Sequence, residues 1–89
     1  MRAIVTVIGK DTVGIIARVC AILAENGVNI LDISQTVLQE YFTMIMIVDT
    51  AGATVPFASL QDKLTGEGQA QGLTIRIQRE DIFEAMHRI

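Results

Sequence analysis

"GKDTVGIIARVCAILAENGVNI", residues 9–30, is the stretch that decides the fold. Apolar side chains recur at helical spacing through its middle, and a polar turn that contains glycine precedes them. Gly27 directly follows Asn26, as a glycine that ends a helix commonly does. The stretch therefore predicts a helix from about Thr12 to Asn26, with the carboxylate of Asp11 as its N-cap.

The segments around this helix predict four strands and a second helix. Short runs that are rich in β-branched residues, or that alternate polar and apolar residues, are typical of strands. Pro56 suits the first turn of the second helix, which is expected to end near Gly72. The predicted strands are Ala3–Ile8, Val28–Gln39, Phe42–Asp49 and Leu73–Gln78.

The predicted order of elements is β-α-β-β-α-β. This order is typical of a ferredoxin-like α+β sandwich, in which both helices cover one face of a four-stranded antiparallel sheet. A chain of 89 residues is expected to form a single domain, 1–89. Its core is expected at residues 1–79, and the amphipathic segment 80–89 predicts a short C-terminal helix.

The sheet face away from the two helices is expected to be apolar as well. Its apolar residues are predicted to come from the first and third strands: Ile4, Ile8 and either Met44/Met46/Val48 or Ile45/Ile47. A large apolar face is rarely left in water, so either the C-terminal helix or a second copy of the chain is expected to cover it. The composition, 51% hydrophobic and 19% charged, also favours a homo-oligomer, a dimer or higher.

The charge and the cysteine content exclude several classes of function. A formal net charge of −3 argues against direct nucleic-acid binding, which needs a basic surface. No run of about 18 apolar residues is present, so no transmembrane helix is predicted and a cytoplasmic location is expected. The single cysteine, Cys20, excludes an intrachain disulfide and a CxxC metal site.

The residues that could carry catalysis do not form a recognisable pattern. Gly9 and Gly14 have the spacing of a phosphate-binding Walker A loop, but apolar residues follow where that loop needs Lys and Ser or Thr. Cys20 falls on an apolar helical position, and His87 lies near the C-terminus on an amphipathic segment. We therefore expect no catalytic residue, no metal and no cofactor, and the protein is not predicted to be an enzyme.

Gly14 and Asn29 are the two positions that suggest binding. The missing side chain at Gly14 would let a ligand carboxylate reach free backbone N–H groups of residues 12–15. Alternatively, Gly14 lets the loop pack against the second strand. Asn29 either closes the turn after Gly27 or projects into a cleft as a hydrogen-bonding side chain. The residues alone leave both pairs of alternatives open.

The same stretch resembles the opening of an ACT domain, a small regulatory module attached to enzymes of amino-acid metabolism. The likeness lies in an Asp-x-x-Gly-hydrophobic loop, Asp11, Gly14 and Ile15, followed after the helix by Gly27–Ile30 at the start of the second strand. It covers about residues 1–79. The tail and the third strand resemble more narrowly the stand-alone ACT proteins and the glycine cleavage repressor-like proteins.

The resemblance implies a non-catalytic regulatory homodimer that binds an amino acid or related metabolite where two subunits meet. One subunit would supply its first loop and its neighbour the start of the second strand. The implied ligand-binding residues are Asp11, Thr12, Val13 and Gly14 on one side, and Asn29 and Ile30 on the other. The loop departs from the family pattern, because Thr12-Val13 stands where Arg-Pro often precedes the glycine.

A second function remains open from the sequence. The chain could be a structural module for oligomerisation or protein interaction that binds no small molecule, with Gly14 serving only the architecture of the loop. The two functions differ in whether Asp11 and Asn29 can be replaced with loss of ligand binding but not of assembly. A partner protein is compatible with either.

Overall fold

The computed structural model describes residues 1–10 and 14–81. The elements are β1 (Arg2–Lys10), α1 (Ile15–Glu25), β2 (Asn29–Leu38), β3 (Tyr41–Asp49), α2 (Phe57–Gln71) and β4 (Thr74–Arg79). This is the predicted β-α-β-β-α-β order, and each predicted strand end lies within two residues of the observed one. The ferredoxin-like fold class is confirmed.

The four strands form one antiparallel sheet in the order β2-β3-β1-β4. In the register of the sheet, Val5 of β1 lies between Met46 of β3 and Ile77 of β4. The pairing of β2 with β3 shifts between Ile30 and Asp32, as a β-bulge requires. Strands β2 and β4 are therefore the two edges of the sheet.

The core lies between the sheet and the two helices. Helix α1 packs over β2 and α2 over β4. Met44, Met46 and Val48 are fully buried in this core, with Leu23 of α1 and Leu64 of α2 among the buried helix residues. Burial of one such side chain stabilises the fold by about 1.5–3 kcal/mol. Of the two alternating sets in the third strand, this one faces the helices.

The other set, Ile45 and Ile47, lies on the opposite face of the sheet. The register places Ile4 and Thr6 of β1 beside these two residues, with Ile8 further along the strand. We call these five residues the open face, because neither α1 nor α2 covers them. The predicted apolar second face is thus present. The helix predicted at 80–89 lies, from residue 82 onward, outside the described residues.

Helix α1 starts later than predicted. It begins at Ile15 rather than about Thr12, and its N-cap is Gly14 with no side-chain cap hydrogen bond. Gly14 thus holds the N-cap position that was predicted for Asp11, and Asp11 itself lies outside the described residues. Gly14 adopts the left-handed conformation, φ 81°, so the chain turns sharply immediately before the helix. The C-terminal prediction is confirmed, because Gly27 follows the helix with φ 75°.

Candidate functional site

Gly14 is a glycine because of its backbone, and no described neighbour needs the space. A Cβ at this position would meet nothing within 4 Å among the described residues. Its φ of 81° lies in the left-handed region, which costs other L-residues roughly 1–2 kcal/mol. The alternative that Gly14 lets the loop pack against the second strand also concerns residues 11–13, which lie outside the described residues, so it stays open.

The first turn of α1 presents backbone N–H groups beside this glycine. The first hydrogen bond inside the helix runs from Arg18 N–H to the Gly14 carbonyl, at 3.0 Å. The amides of Ile15, Ile16 and Ala17 precede it and have no partner within the helix. These are the amides on which a carboxylate could sit, and they share only Ile15 with the predicted set of residues 12–15.

A shallow cleft adjoins Gly14 between the two helices. Its volume is ≈ 240 Å³, and Gly14, Ile15, Arg18 and Gln71 line it. Behind it, Glu67 accepts a hydrogen bond from Gln71 Nε2 at 3.2 Å and pairs with Arg18 Nε at 3.3 Å. Glu67 is largely buried, at 13% exposure, while Arg18 is 63% exposed. The cleft thus presents one accessible guanidinium.

The sequence did not reveal these three polar residues as a group. Arg18 and Glu67 lie on different helices, and only the packing of α1 against α2 brings them together. The spacing of Glu67 and Gln71, four residues apart on α2, is the one signal in the sequence, and it is common on helix surfaces. Their contact with the N-terminal end of α1 depends on the tertiary fold.

The opposite end of α1 is held by Asn26, the one polar side chain among the buried described residues. Asn26 Nδ2 donates to the Ile22 carbonyl at 2.7 Å, and Asn26 Oδ1 accepts from Lys63 Nζ at 3.0 Å. Its backbone carbonyl accepts from Thr54 N–H at 2.9 Å. Because these bonds reach the β3–α2 loop and α2, the end of α1 is firmly fixed.

Asn29 does not close the turn after Gly27. In the described structure, the hydrogen bonds of that turn are made by Asn26, Gly27 and Val28, including Val28 N–H to the Leu23 carbonyl at 2.9 Å. Asn29 is exposed at the start of β2. The alternative in which its side chain projects into a cleft as a hydrogen-bonding group stays a prediction.

Among the described residues of the predicted site, Gly14 is separated from Asn29 and Ile30 within one chain. Gly14 and Asn29 lie at opposite ends of α1, whose 11 residues span about 16 Å. Ile30 is half-buried beside Asn29 and packs against the core. The remaining predicted residues, Asp11, Thr12 and Val13, lie outside the described residues.

Strand β2 is an edge with apolar side chains in water. Ile33 and Val37 face the helix side of the sheet, opposite Met46 and Phe42, yet they are 42% and 58% exposed. Leu31, at the bulge, is 49% exposed. Edge strands that stay monomeric usually carry charges or proline, and β2 carries one exposed charge, Asp32, among these apolar residues. The other edge, β4, carries Arg76 at its centre, which is exposed.

The described residues show no sign of a metal centre or a membrane-spanning segment. Over residues 1–10 and 14–81, no three His, Cys, Asp or Glu side chains are grouped as metal ligands would be. Neither α1 nor α2 is long and apolar enough to cross a membrane.

The sequence and the fold are similar to those of several known proteins. A UPF0237 protein of Clostridium acetobutylicum is 55% identical over 89 residues, which is 100% of both chains. The solved structure of an ACT domain protein from Streptococcus pneumoniae has a TM-score of 0.81 at 48% identity and covers 98% of each chain. A proposed glycine cleavage system transcriptional repressor has a TM-score of 0.72 at 23% identity, over 86% of this chain and 44% of its own, and shares the fold.

The motif around Gly14, the fold and these relatives lead to one assignment. Residues 2–78 match the family model of the ACT domain, which agrees with the predicted range of about 1–79. The chain therefore belongs to the ACT domain family, whose members are regulatory modules that bind small molecules.

Proposed function

We propose that this protein is a non-catalytic sensor that binds an amino acid or a related metabolite between two copies of the chain. The observation that carries the proposal is the apolar edge of β2, together with the separation of Gly14 from Asn29 along α1. Within one chain, Gly14 and Asn29 lie at opposite ends of α1. Pairing of two β2 edges can bring the two halves of the predicted site together.

The register of the sheet supports this assembly. Leu38 and Lys10 both pair with Tyr41, so the C-terminal end of β2 and the end of β1 lie at the same end of the sheet. Antiparallel pairing of two β2 strands about a two-fold axis brings Asn29 of one copy to the Leu38 end of the other. The partner's Asn29 then approaches the first loop of this chain.

The chemistry of the two halves suits a zwitterionic ligand. The N-terminal amides of α1 would accept its carboxylate, and the residues of the loop, Asp11, Thr12, Val13 and Gly14, would surround it. The Asn29 amide can both donate and accept hydrogen bonds to polar atoms of the ligand. Ile30 lies next to Asn29 and would contact an aliphatic part. The glycine cleavage repressor-like neighbour is a further reason to test amino acids first.

A second candidate is a structural module that pairs through β2 and binds no small molecule. The backbone of Gly14 favours it, because a left-handed φ of 81° explains the glycine without any ligand. In this function Asn29 would serve only the strand pairing.

Thermal unfolding in the presence of the twenty amino acids and common metabolites tests the sensor. A ligand that binds only the native protein raises the unfolding temperature by mass action. The expected result is a shift with at least one small amino acid or relative. Asp11→Ala and Asn29→Ala should abolish that shift while light scattering still finds the oligomer of the unmodified protein.

Asp62→Ala is the matched control, since Asp62 is an exposed acidic residue on α2, away from the β2 edge. It should leave both the shift and the oligomer unchanged. If no compound raises the unfolding temperature and the protein is still an oligomer, the structural module is the better account. A monomer at all concentrations would contradict both functions.

A further inference from the structure

The two edges of the sheet are covered to different degrees on the helix side. At the β4 edge, α2 lies directly against the strand, since a Cβ on Gly68 would stand 2.8 Å from the Leu73 carbonyl oxygen and 3.1 Å from Ile75 N. Gln61 Nε2 of the same helix donates to the Ile77 carbonyl at 3.2 Å. Ile75 and Ile77 are accordingly buried. The packing of α2 thus closes this edge.

Helix α1 does not close the β2 edge in the same way. Ile33 and Val37 face the helix side of the sheet, and both are exposed. Gln35, which lies between them on the same side, is exposed as well. Asp32, the charged residue of this edge, pairs with Ile47 and therefore lies on the other face. The helix side of β2 is thus an uncharged surface that neither of the described helices covers.

The flank of α1 beside this strand is uncharged too. With 3.6 residues per turn, Ile16 and Cys20 each lie about 160° around the helix from Arg18. Arg18 reaches Glu67 of α2, so this flank points away from α2 and towards the outer edge of β2. Ile16 is 36% exposed, and Cys20 is half-buried. We call these residues of α1 and β2 together the flank surface: Ile16, Cys20, Ile33, Gln35 and Val37.

We propose that the flank surface packs against the flank surface of a second copy, with the two α1 helices antiparallel and side by side. The inference rests on the pairing of two β2 edges proposed above. A two-fold axis normal to the sheet, at the centre of that pairing, keeps all helices on one side and brings the same residues of both copies together. Because a helix of about 10 Å diameter covers two strands spaced about 4.8 Å apart, the two α1 helices come to lie about 8–10 Å apart, the distance at which helices pack.

The chemistry of the flank surface favours a second copy as its partner. In a two-fold contact the same surface meets itself, so like charges in it would repel. The flank surface carries no charge, although the whole chain has a net charge of −3. The amide of Gln35, its one polar side chain, both donates and accepts hydrogen bonds and can pair with its own equivalent. The second α1 would then cover Ile33 and Val37 as α2 covers Ile75 and Ile77 at the other edge.

Ile16→Lys tests this contact by analytical ultracentrifugation. Ile16 is partly exposed, so a lysine can be solvated in a single chain, and circular dichroism checks that the fold is kept. In the dimer the ammonium group would be forced against the apolar flank of the other α1, so we expect the dissociation constant to rise at least tenfold. Ala21→Lys is the matched control, because Ala21 is exposed on the side of α1 that faces away from the sheet. It should leave the dissociation constant unchanged.

Ile33→Lys separates the helix contact from the strand pairing on which it rests. If Ile33→Lys raises the dissociation constant and Ile16→Lys does not, the β2 edges pair but the helices do not meet, and only the helix contact is overturned. If neither substitution has an effect, or if the unmodified protein is a monomer, the pairing of β2 fails as well. An equal effect of Ala21→Lys would show that added charge alone separates the chains, which would also overturn the helix contact.

Nuclear Overhauser effects give a second measurement that needs no substitution. In dimers of one isotopically enriched and one ordinary chain, the methyl protons of Ile16 and Val37 should show contacts to protons of the ordinary chain. The methyl protons of Leu64, in the core, should show none. Contacts of Ile16 and Val37 only within their own chain would overturn the proposal.

Discussion

The carbonyl oxygen of Gly52 lies where a Cβ atom of Gly27 would have to be. The turn after α1 and the loop after β3 therefore meet backbone against backbone, and Thr54 N–H donates to the Asn26 carbonyl beside them at 2.9 Å. Asn29 begins β2 two residues after Gly27. This close contact thus sets where the predicted ligand-binding residue stands relative to the rest of the sheet.

Gly27→Ala should be strongly destabilising. The new methyl group would collide with Gly52, and the φ of 75° would be strained in alanine. We expect a loss of more than about 2 kcal/mol in the free energy of unfolding, measured by urea denaturation. Gly66→Ala is the control, because Gly66 is an exposed residue within α2 whose Cβ would meet nothing within 4 Å. It should gain about 0.5–1 kcal/mol. Equal effects of the two substitutions would contradict the contact.

Gly14→Ala should destabilise the protein for a different reason. No described neighbour occupies the position of its Cβ, so the cost is the left-handed backbone alone, about 1–2 kcal/mol. Gly14→Asn should cost less, because asparagine tolerates this conformation. Urea denaturation of the two variants measures the difference. Asparagine as costly as alanine would mean that a side chain of any kind is rejected there, which would point to a contact made by the assembly.

The sequence predicted the order of the elements, because hydrophobic period and glycine position reflect local geometry. It left open which of the two alternating sets in the third strand faces the helices. It was wrong at the start of α1. Asp11 is a good capping residue by type, but the left-handed turn at Gly14 places the helix boundary at Ile15. Propensity could not detect this turn, since glycine is also frequent in ordinary loops.

The sequence pattern could not predict contacts between segments that are distant along the chain. The pairing of Arg18 with Glu67 and of Asn26 with Lys63 each joins α1 to α2 and depends on how the helices pack. The bulge in β2 could not be predicted either, because an alternating pattern does not show where one strand gains an extra residue. The exposure of Ile33 and Val37 also follows from tertiary structure, since they lie on the helix side of an uncovered edge.

Asp49 should make stability depend on acid pH. The hydrogen bond from Ala51 N–H, 2.9 Å long, lowers the pKa of Asp49 below its ordinary 3.8, and the N-terminal ammonium at 3.5 Å adds to this. A lowered folded-state pKa stabilises the protein above pH about 4, and the stabilisation disappears as the pH falls through the folded pKa. Asp49→Asn should therefore be less stable than the unmodified protein at about pH 7, and the difference should shrink towards pH 2 in urea denaturation. A difference that grows on acidification would contradict the assignment.

Asn26→Ala should destabilise by about 1–3 kcal/mol, because it removes a buried side chain that makes two hydrogen bonds. Lys63→Met keeps most of the alkyl stem and removes only one of these bonds, from an exposed residue. Its cost should be below about 1 kcal/mol. Urea denaturation of both variants gives the comparison. If Lys63→Met costs as much as Asn26→Ala, the bond to the Ile22 carbonyl contributes little.

Ile33→Lys should weaken dimerisation. Ile33 lies near the centre of the β2 edge and is already 42% exposed, so a lysine there can be solvated in a monomer and the fold should survive. In a β2–β2 dimer the same residue approaches its own symmetry mate, and two ammonium groups would be forced together. We expect the dissociation constant of the dimer to increase at least tenfold, which corresponds to a loss of about 1.4 kcal/mol in the free energy of association. Analytical ultracentrifugation over a range of concentrations measures it.

Thr74→Lys is the matched control for this prediction. It makes the same change of charge at an exposed residue on the opposite edge strand, β4. Association through β2 leaves that edge free, so the dissociation constant of this variant should equal that of the unmodified protein. If Thr74→Lys separates the subunits and Ile33→Lys does not, the copies meet through β4. Asn29 of one copy would then be far from the first loop of the other, and the shared site proposed for the ligand could not form.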